Sequence, residues 1–343
     1  MGDILHALPA VTALRQAHPS WEIDWVVESR WSPLLAAEGS RGRDSANPSP
    51  MQPVVDRFYP VPIKVWGRNP LKRTTREEIS ALRRELGSIN YEAVLDFQGA
   101  VRSAWIARMS RSKRVIGEAH PRERLASLLF HERIRTHGAH VIEQDMELAS
   151  AVVGDDLAPV QPWLPVDPAA TAWVDQLFAS FGGQSAVLIN PGAGWGAKRW
   201  PVERYAAVAR GLIERGNRVL VNAGPGEECL AQVLAKQTDG KAILLGGQLS
   251  QLIAATRRIA LTIAGDTGPL HLACALRRPV VGIYGPTAPS RNGPFGTRFK
   301  VLRSPDSRRD HTRREAPEAG LLTIDPKAVL QAADDLLAAE PAL

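Results

Sequence analysis

The chain has 343 residues, 44% apolar and 23% charged, a composition typical of folded soluble proteins, and at roughly 150 residues per domain its length predicts two domains. Two cysteines, Cys229 and Cys274, exclude a disulfide scaffold and a CxxC metal site. No apolar run reaches the ~20 residues that span a bilayer, and Met1-Gly2-Asp3 lacks the basic start of a secretory signal, so a reduced, cytoplasmic protein is expected. Lys and Arg number 42 against 36 Asp and Glu, a net charge of +6. The excess is local: residues 57–140 hold 17 basic and 8 acidic side chains. Such a stretch suits an anionic partner, whether nucleic acid, a phosphorylated sugar or an anionic membrane surface; it is equally a solvated helix face. Nucleic acid is not expected, because no zinc-finger spacing or RNP-type motif accompanies the charge.

In chain order, residues 4–16 have helical spacing, 23–27 (IDWVV) read as a strand, and 41–50 (RGRDSANPSP) as a polar, proline-bearing loop. Residues 75–86 have helical spacing again, and 93–95 with their flanks read as a strand. Four prolines between residues 154 and 168 (GDDLAPVQPWLPVDP) block helix continuation and central strand pairing, so this segment is the predicted linker. Beyond it, strands are predicted at 186–190, 218–222, 242–245, 261–264 and 280–284. Helices are predicted between them at 202–215, 227–236, 250–258 and 269–276, with a closing helix from 326. Five strands with helical crossovers make a Rossmann-like unit. Two such units joined by a linker predict a cleft, with ligand at the carboxyl ends of the strands. The expected division is an acceptor-binding domain over 1–155, a linker over 156–168, a nucleotide-sugar domain over 169–325 and a closing segment over 326–343.

Four segments carry candidate chemistry. Gly265-Asp266-Thr267-Gly268-Pro269-Leu270-His271 follows an apolar strand and opens a helix. Asp266 or Thr267 can cap that helix, Pro269 suits its first turn, and its N–H groups and dipole favour phosphate; the same turn also serves as an ordinary αβ connection. Asn190-Pro191-Gly192-Ala193-Gly194-Trp195-Gly196-Ala197-Lys198-Arg199-Trp200-Pro201 is a glycine-rich loop without the Walker pattern, in which Lys198 either reaches a diphosphate or is solvated. Asn222-Ala223-Gly224-Pro225-Gly226-Glu227-Glu228 offers carboxylates to ribose or sugar hydroxyls, or to a helix dipole. Gly2-Asp3-Ile4-Leu5-His6-Ala7-Leu8-Pro9 places a carboxylate before an amphipathic helix, where a capping role is usual. The eight histidines show no HExxH spacing, and no GxSxG motif signals a hydrolase nucleophile.

Together and in this order these segments resemble the bacterial ADP-heptose:lipopolysaccharide heptosyltransferases, glycosyltransferase family 9. Further matches are Tyr91-Glu92-Ala93-Val94-Leu95-Asp96-Phe97-Gln98-Gly99, continued by Arg102-Ser103-Ala104, and Lys198-Arg199-Trp200-Pro201 with Asp266 to His271. Arg122-Glu123-Arg124-Leu125-Ala126-Ser127-Leu128 is similar to the branch that adds the first heptose. The resemblance implies a GT-B fold, two Rossmann-like domains facing across a cleft. It also implies inverting transfer of L-glycero-D-manno-heptose from ADP-heptose to Kdo of Kdo-lipid A. By the same resemblance Asp3 is the general base, and Lys198 with the helix start at Thr267 and Gly268 stabilises the leaving ADP. Asn190, Gly192, Glu227, Glu228, Asp266 and His271 then belong to the donor site, and Lys64, Arg68, Lys72, Arg73, Gln98 and Arg122 to the acceptor side, with Trp66 at the interface or in the core. No metal or other cofactor is required in principle. The implied partners are the ADP-sugar donor, the anionic glycolipid acceptor and the cytoplasmic face of the inner membrane, with the protein held peripherally. The same motifs suit a second-heptose transferase, another cell-surface glycan transferase, or a homologue that binds a nucleotide-sugar without turnover. The sequence departs from the family at its start, where a first strand and its loop normally precede the Gly-Asp. The expectation is an amino-terminal domain lacking that strand, with the start assigned downstream of the true one.

Overall fold

The computed structural model describes residues 1–43, 49–310 and 314–339. Residues 44–48 of the expected polar loop, and 340–343 of the closing segment, lie outside the described residues. The chain divides into two compact units, Asp3–Pro165 and Val166–Leu343, and no helix among the described residues is long and apolar enough to cross a membrane.

The amino-terminal unit runs α1 (Gly2–Ala17), β1 (Asp24–Glu28), β2 (Arg57–Val61), α2 (Ile63–Arg68), α3 (Arg73–Ser88), β3 (Val94–Asp96), α4 (Val101–Met109), β4 (Val115–Glu118), β5 (Glu132–Ile134) and α5 (Val141–Val153). Its strands form two separate parallel sheets, β1 with β2 and β3-β4-β5. β1 and β3 are thus each bonded along one edge only. Helix α1 is buried continuously from Leu5 to Arg15, as expected of a helix that is apolar all round rather than along one stripe. Near its carboxyl end Arg15 is buried. Its Nη2 donates to Asp56 Oδ2, its Nε to Val54 O at 2.9 Å and its Nη1 to Pro19 O at 3.1 Å. Helix α3 is amphipathic instead: Thr75, Leu82 and Leu86 are buried, and Leu82, Leu86 and the partly buried Ile79 pack with Tyr59, Val61, Ile106 and Met109. Trp66 joins that core, its indole N–H donating to Glu78 Oε2 at 2.6 Å. The interface position considered for Trp66 is therefore corrected: a ring with a satisfied N–H is better packed inside.

The segment between the units, residues 156–167, carries neither helix nor strand, and the division falls at Pro165/Val166. The second unit runs α6 (Pro168–Ala179), β6 (Ala186–Asn190), α7 (Val202–Glu214), β7 (Arg218–Val221), α8 (Glu228–Gln237), β8 (Ile243–Leu244), α9 (Leu249–Thr256), β9 (Leu261–Gly265), α10 (Gly268–Ala275), β10 (Val280–Tyr284), α11 (Pro289–Asn292), β11 (Phe299–Arg303) and α12 (Pro326–Ala338). All its strands lie in one parallel sheet of order β11-β10-β9-β6-β7-β8. This is the doubly wound Rossmann order, and the order reverses between β6 and β9. β6, β9 and β10 are buried at every position, because helices cover both faces of such a sheet. The five-strand expectation is corrected to six: β11 adds an edge strand beside β10, half exposed along its length.

Candidate functional site

Three loops leave the carboxyl ends of β6, β7 and β9, which are neighbours in the sheet, so segments far apart in sequence meet there. The loop after β6 reaches Lys198 through a short 3-10 turn, Gly196–Lys198. Two features fix this turn. Trp200 is buried with its ring edge-on to Tyr205 at 4.8 Å. On the other side Ala197 N donates to Arg314 O at 2.9 Å, and Glu318 N to Ala197 O at 3.1 Å. Gly196 lies against the Glu315 backbone, where a Cβ would come within 1.7 Å of the carbonyl oxygen.

Lys198 spans the switch point of the sheet. Its ammonium donates to Asp266 Oδ2, in the loop after β9, and stands 4.3 Å from the centre of the Trp195 ring. The other carboxylate oxygen, Asp266 Oδ1, pairs with His271 Nε2 at 3.2 Å. Burial pushes the Asp266 pKa up. The His271 hydrogen bond and the Lys198 charge outweigh that and hold it well below the ordinary carboxylate range. The lysine is thus a cation fixed in place, with only 11% of its side chain exposed, whereas an exposed lysine samples many rotamers.

Helix α10 starts beside this cluster, with Thr267 as N-cap residue and Pro in its first turn. The expectation that Asp266 or Thr267 caps it is corrected. The Asp266 carboxylate is turned to Lys198 and His271, Thr267 Oγ1 donates to Gly265 O at 3.2 Å, and no side chain caps the helix. The positive end of α10 therefore adjoins Lys198 without a protein carboxylate on it, an arrangement suited to anion binding.

The loops after β6 and β7 are tied together by Glu227. Its Oε1 accepts from Ala193 N at 2.9 Å and its Oε2 from Gly224 N at 3.3 Å. Gly192 is required there, since a Cβ would lie 1.9 Å from Glu227 Oε2. Below them Asn190 and Asn222 are buried, with Asn222 Nδ2 donating to Asn190 Oδ1 at 2.7 Å and Asn190 Nδ2 to Gly192 O at 3.2 Å. Glu228 is exposed and bonds Gly226 N at 3.0 Å, which holds its pKa below the usual value. Sequence reasoning missed Trp195 and Asn222 as parts of this site. Their signal was present, since both stand in the glycine-rich loops after strands.

In the amino-terminal unit, Asp3 is exposed in the first turn of α1, whose dipole favours a carboxylate there. Lys64, Arg68, Lys72 and Arg73 are exposed on α2, the start of α3 and the segment between them. Gln98 and Arg122 come together through Gly99. This residue has φ +62°, and its Cα packs so closely that a Cβ would meet Pro121 Cβ at 3.0 Å and Arg122 N at 3.1 Å. Beneath the turn Asp96 accepts from Gln98 N at 2.8 Å, Gly99 N at 3.1 Å and Ser103 Oγ at 2.9 Å; burial nevertheless pushes its pKa up.

A Rossmann-like unit with a tethered lysine at its switch point, beside an uncapped helix start, has the form of a site for a phosphate-bearing ligand. Residues 79–321 match the model of glycosyltransferase family 9 (heptosyltransferase), and the chain belongs to that family. It is 29% identical over 335 residues to lipopolysaccharide heptosyltransferase 1 of Escherichia coli K12, covering 96% of this chain and 95% of that one. The Pseudomonas aeruginosa enzyme of the same name is 28% identical over 300 residues, covering 86% and 79%. Among solved structures, the E. coli heptosyltransferase WaaC with ADP superposes with a TM-score of 0.77 at 28% identity, covering 98% and 97%. The fold class is accordingly GT-B and the activity that of a glycosyltransferase.

Proposed function

We propose that this chain transfers heptose, with inversion, from ADP-heptose to a Kdo residue of Kdo-lipid A in the inner core of lipopolysaccharide. The observation that carries the reading is the Lys198–Asp266–His271 cluster at the switch point beside α10. The leaving ADP gains negative charge in the transition state, and a fixed cation with a helix start stabilises that charge without reorganising at the moment of reaction. The names of the relatives support the rest. A similar solved heptosyltransferase, 27% identical, holds ADP-2-deoxy-2-fluoro heptose, and a relative with near-complete overlap is a lipopolysaccharide heptosyltransferase 1.

Asp3 is the general base of this reading. It takes the proton from the acceptor hydroxyl as that oxygen attacks the anomeric carbon on the face opposite ADP. Both Asp266 oxygens are used inside the protein, so its role is to position Lys198. Glu227 likewise shapes the loops that receive the nucleotide. Lys64, Arg68, Lys72, Arg73, Gln98 and Arg122 face the anionic acceptor, whose lipid A holds the protein peripherally at the inner-membrane surface. No metal enters this scheme, the positive charge coming from Lys198 and α10.

The test is a panel of ADP-heptose, UDP-sugars and GDP-sugars offered with Kdo-lipid A or heptosyl-Kdo-lipid A, read by mass spectrometry of the acceptor. The expected result is a single heptose added to Kdo-lipid A from ADP-heptose alone. Addition only to the heptosylated acceptor would make this a second-heptose transferase, and turnover of a UDP- or GDP-sugar would reject the donor.

A further inference from the structure

The 3-10 helix Arg124–Leu129 leaves two large aliphatic side chains in solvent, Leu125 at 67% and Leu128 at 69% exposure. A 3-10 helix has three residues per turn, so positions i and i+3 lie one above the other, and the two leucines form one apolar ridge. The element does not expose them for lack of a core. Ala126 and Phe130 are buried with Ala104, Ala107 and Val115, and Leu129 packs against them. The ridge is also held firmly: Glu123 N donates to Gly99 O at 2.9 Å, Val101 N to Glu123 Oε2 at 2.9 Å, and Arg133 Nε to Ser127 O at 2.9 Å. Helix α4, which packs against this turn, exposes Val101 and, one turn on, Trp105 at 47%.

The segments that carry this surface are basic. Residues 101–135 contain nine Lys or Arg and three Glu. The glutamates are engaged: Glu132 is paired with Arg114, Glu123 bonds the Val101 amide, and Glu118 accepts from Thr136 Oγ1. Arg102, Arg124 and Arg133 are exposed. We propose that the Leu125–Leu128 ridge, with Trp105 on the helix packed against it, is a membrane-docking element that seats in an anionic lipid bilayer. The leucines enter the acyl boundary, the tryptophan lies at the headgroup level, and the arginines meet lipid phosphates. Charge selects this occupant over a second copy of the chain, whose matching patch carries the same positive sign and would be repelled. The proposal deepens the reading of a lipid-borne acceptor and rests on it for its biological use, but not for its test.

That test is co-sedimentation of the protein with vesicles of phosphatidylcholine, with and without phosphatidylglycerol, neither containing Kdo or lipid A. Binding is therefore read independently of sugar transfer. The protein is expected to bind the anionic vesicles and not the neutral ones. The double variant Leu125→Asp, Leu128→Asp is expected to bind about tenfold more weakly or worse, and Leu125→Ile, Leu128→Met to bind like the parent. ADP binding by calorimetry is expected to be unchanged in both, which separates lost docking from lost folding. Parent-like vesicle binding by the aspartate variant overturns the proposal. So does absence of parent binding to anionic vesicles, or a change from dimer to monomer in the aspartate variant with vesicle binding intact.

Discussion

Asp266 carries two opposing influences on one carboxylate, and their balance has a measurable sign. Burial alone would raise its pKa, yet the protein holds it below the ordinary range through His271 and Lys198. A carboxyl depressed in the folded state stabilises the fold above the unfolded pKa of about 3.9, and that contribution is lost as pH falls through the lower folded value. Thermal melts are therefore expected to show a Tm contribution from Asp266 that is constant from pH 7 to about 5 and declines below about 4. Asp266→Asn should lower Tm at neutral pH and flatten the acid limb; a variant whose Tm parallels the parent at every pH would show that the Lys198 pair contributes nothing. For Asp3 the expectation is kinetic. Asp3→Ala should abolish heptosyl transfer while ADP affinity, measured by calorimetry, stays within about twofold, because a general base contributes to the transition state and not to nucleotide binding. Undiminished turnover would remove Asp3 from the chemistry.

At the scale of elements, short connections decide where side chains point. Arg15 fastens the end of α1 to the 54–56 segment through the buried Val54 carbonyl and the Asp56 carboxylate, and to the turn that follows α1 through the Pro19 carbonyl. Asp56 keeps Arg43 as a second guanidinium partner, so Arg15→Ala should cost about 1–3 kcal/mol in chemical denaturation, the penalty for leaving a buried acceptor such as Val54 O without its donor. Adding Asp56→Ala should cost less than the two single losses summed, and strict additivity would mean the pair is not coupled. Gly99→Ala forces a side chain into the left-handed region and against Pro121 and Arg122. The expected cost is about 1–3 kcal/mol of stability, together with a rise in KM for the acceptor and no change in KM for the donor. An equal rise in both would detach this turn from the acceptor side.

Legibility in the sequence follows the same physics. The strands buried on both faces, β6, β9 and β10, read as unbroken apolar runs (AVLIN, LTIAG, VVGIY) and stood out at once. β2 did not, because Pro60 argues against a strand; it is tolerated here in a two-stranded sheet. β3 was legible at 93–95 with its flanks, whereas β5, three residues long, is too short for any period to show, and β11 is half exposed. Lys198 and Asp266 were each legible in the loops that follow strands, but their pairing across 68 positions follows from sheet order, which a single sequence does not display. Glu227 was legible as a carboxylate after a strand. Its hold on the Ala193 and Gly224 amides was not, although Gly192 and Gly224 mark where it lies.

For the molecule as a whole, the GT-B class and membership of glycosyltransferase family 9 bring the donor unit into register with heptosyltransferases along most of the chain. The proposed chemistry turns on Lys198, which bridges the loops after β6 and β9, as the charge that would meet the leaving nucleotide. Heptosyl transfer from ADP-heptose to Kdo-lipid A by Lys198→Ala, compared with the parent under saturating donor, tests it most directly. The expected result is a loss in kcat of about 10²-fold or more with the fold intact by circular dichroism. A loss smaller than about threefold would contradict it, since removal of a pre-positioned charge from the transition state cannot be that cheap.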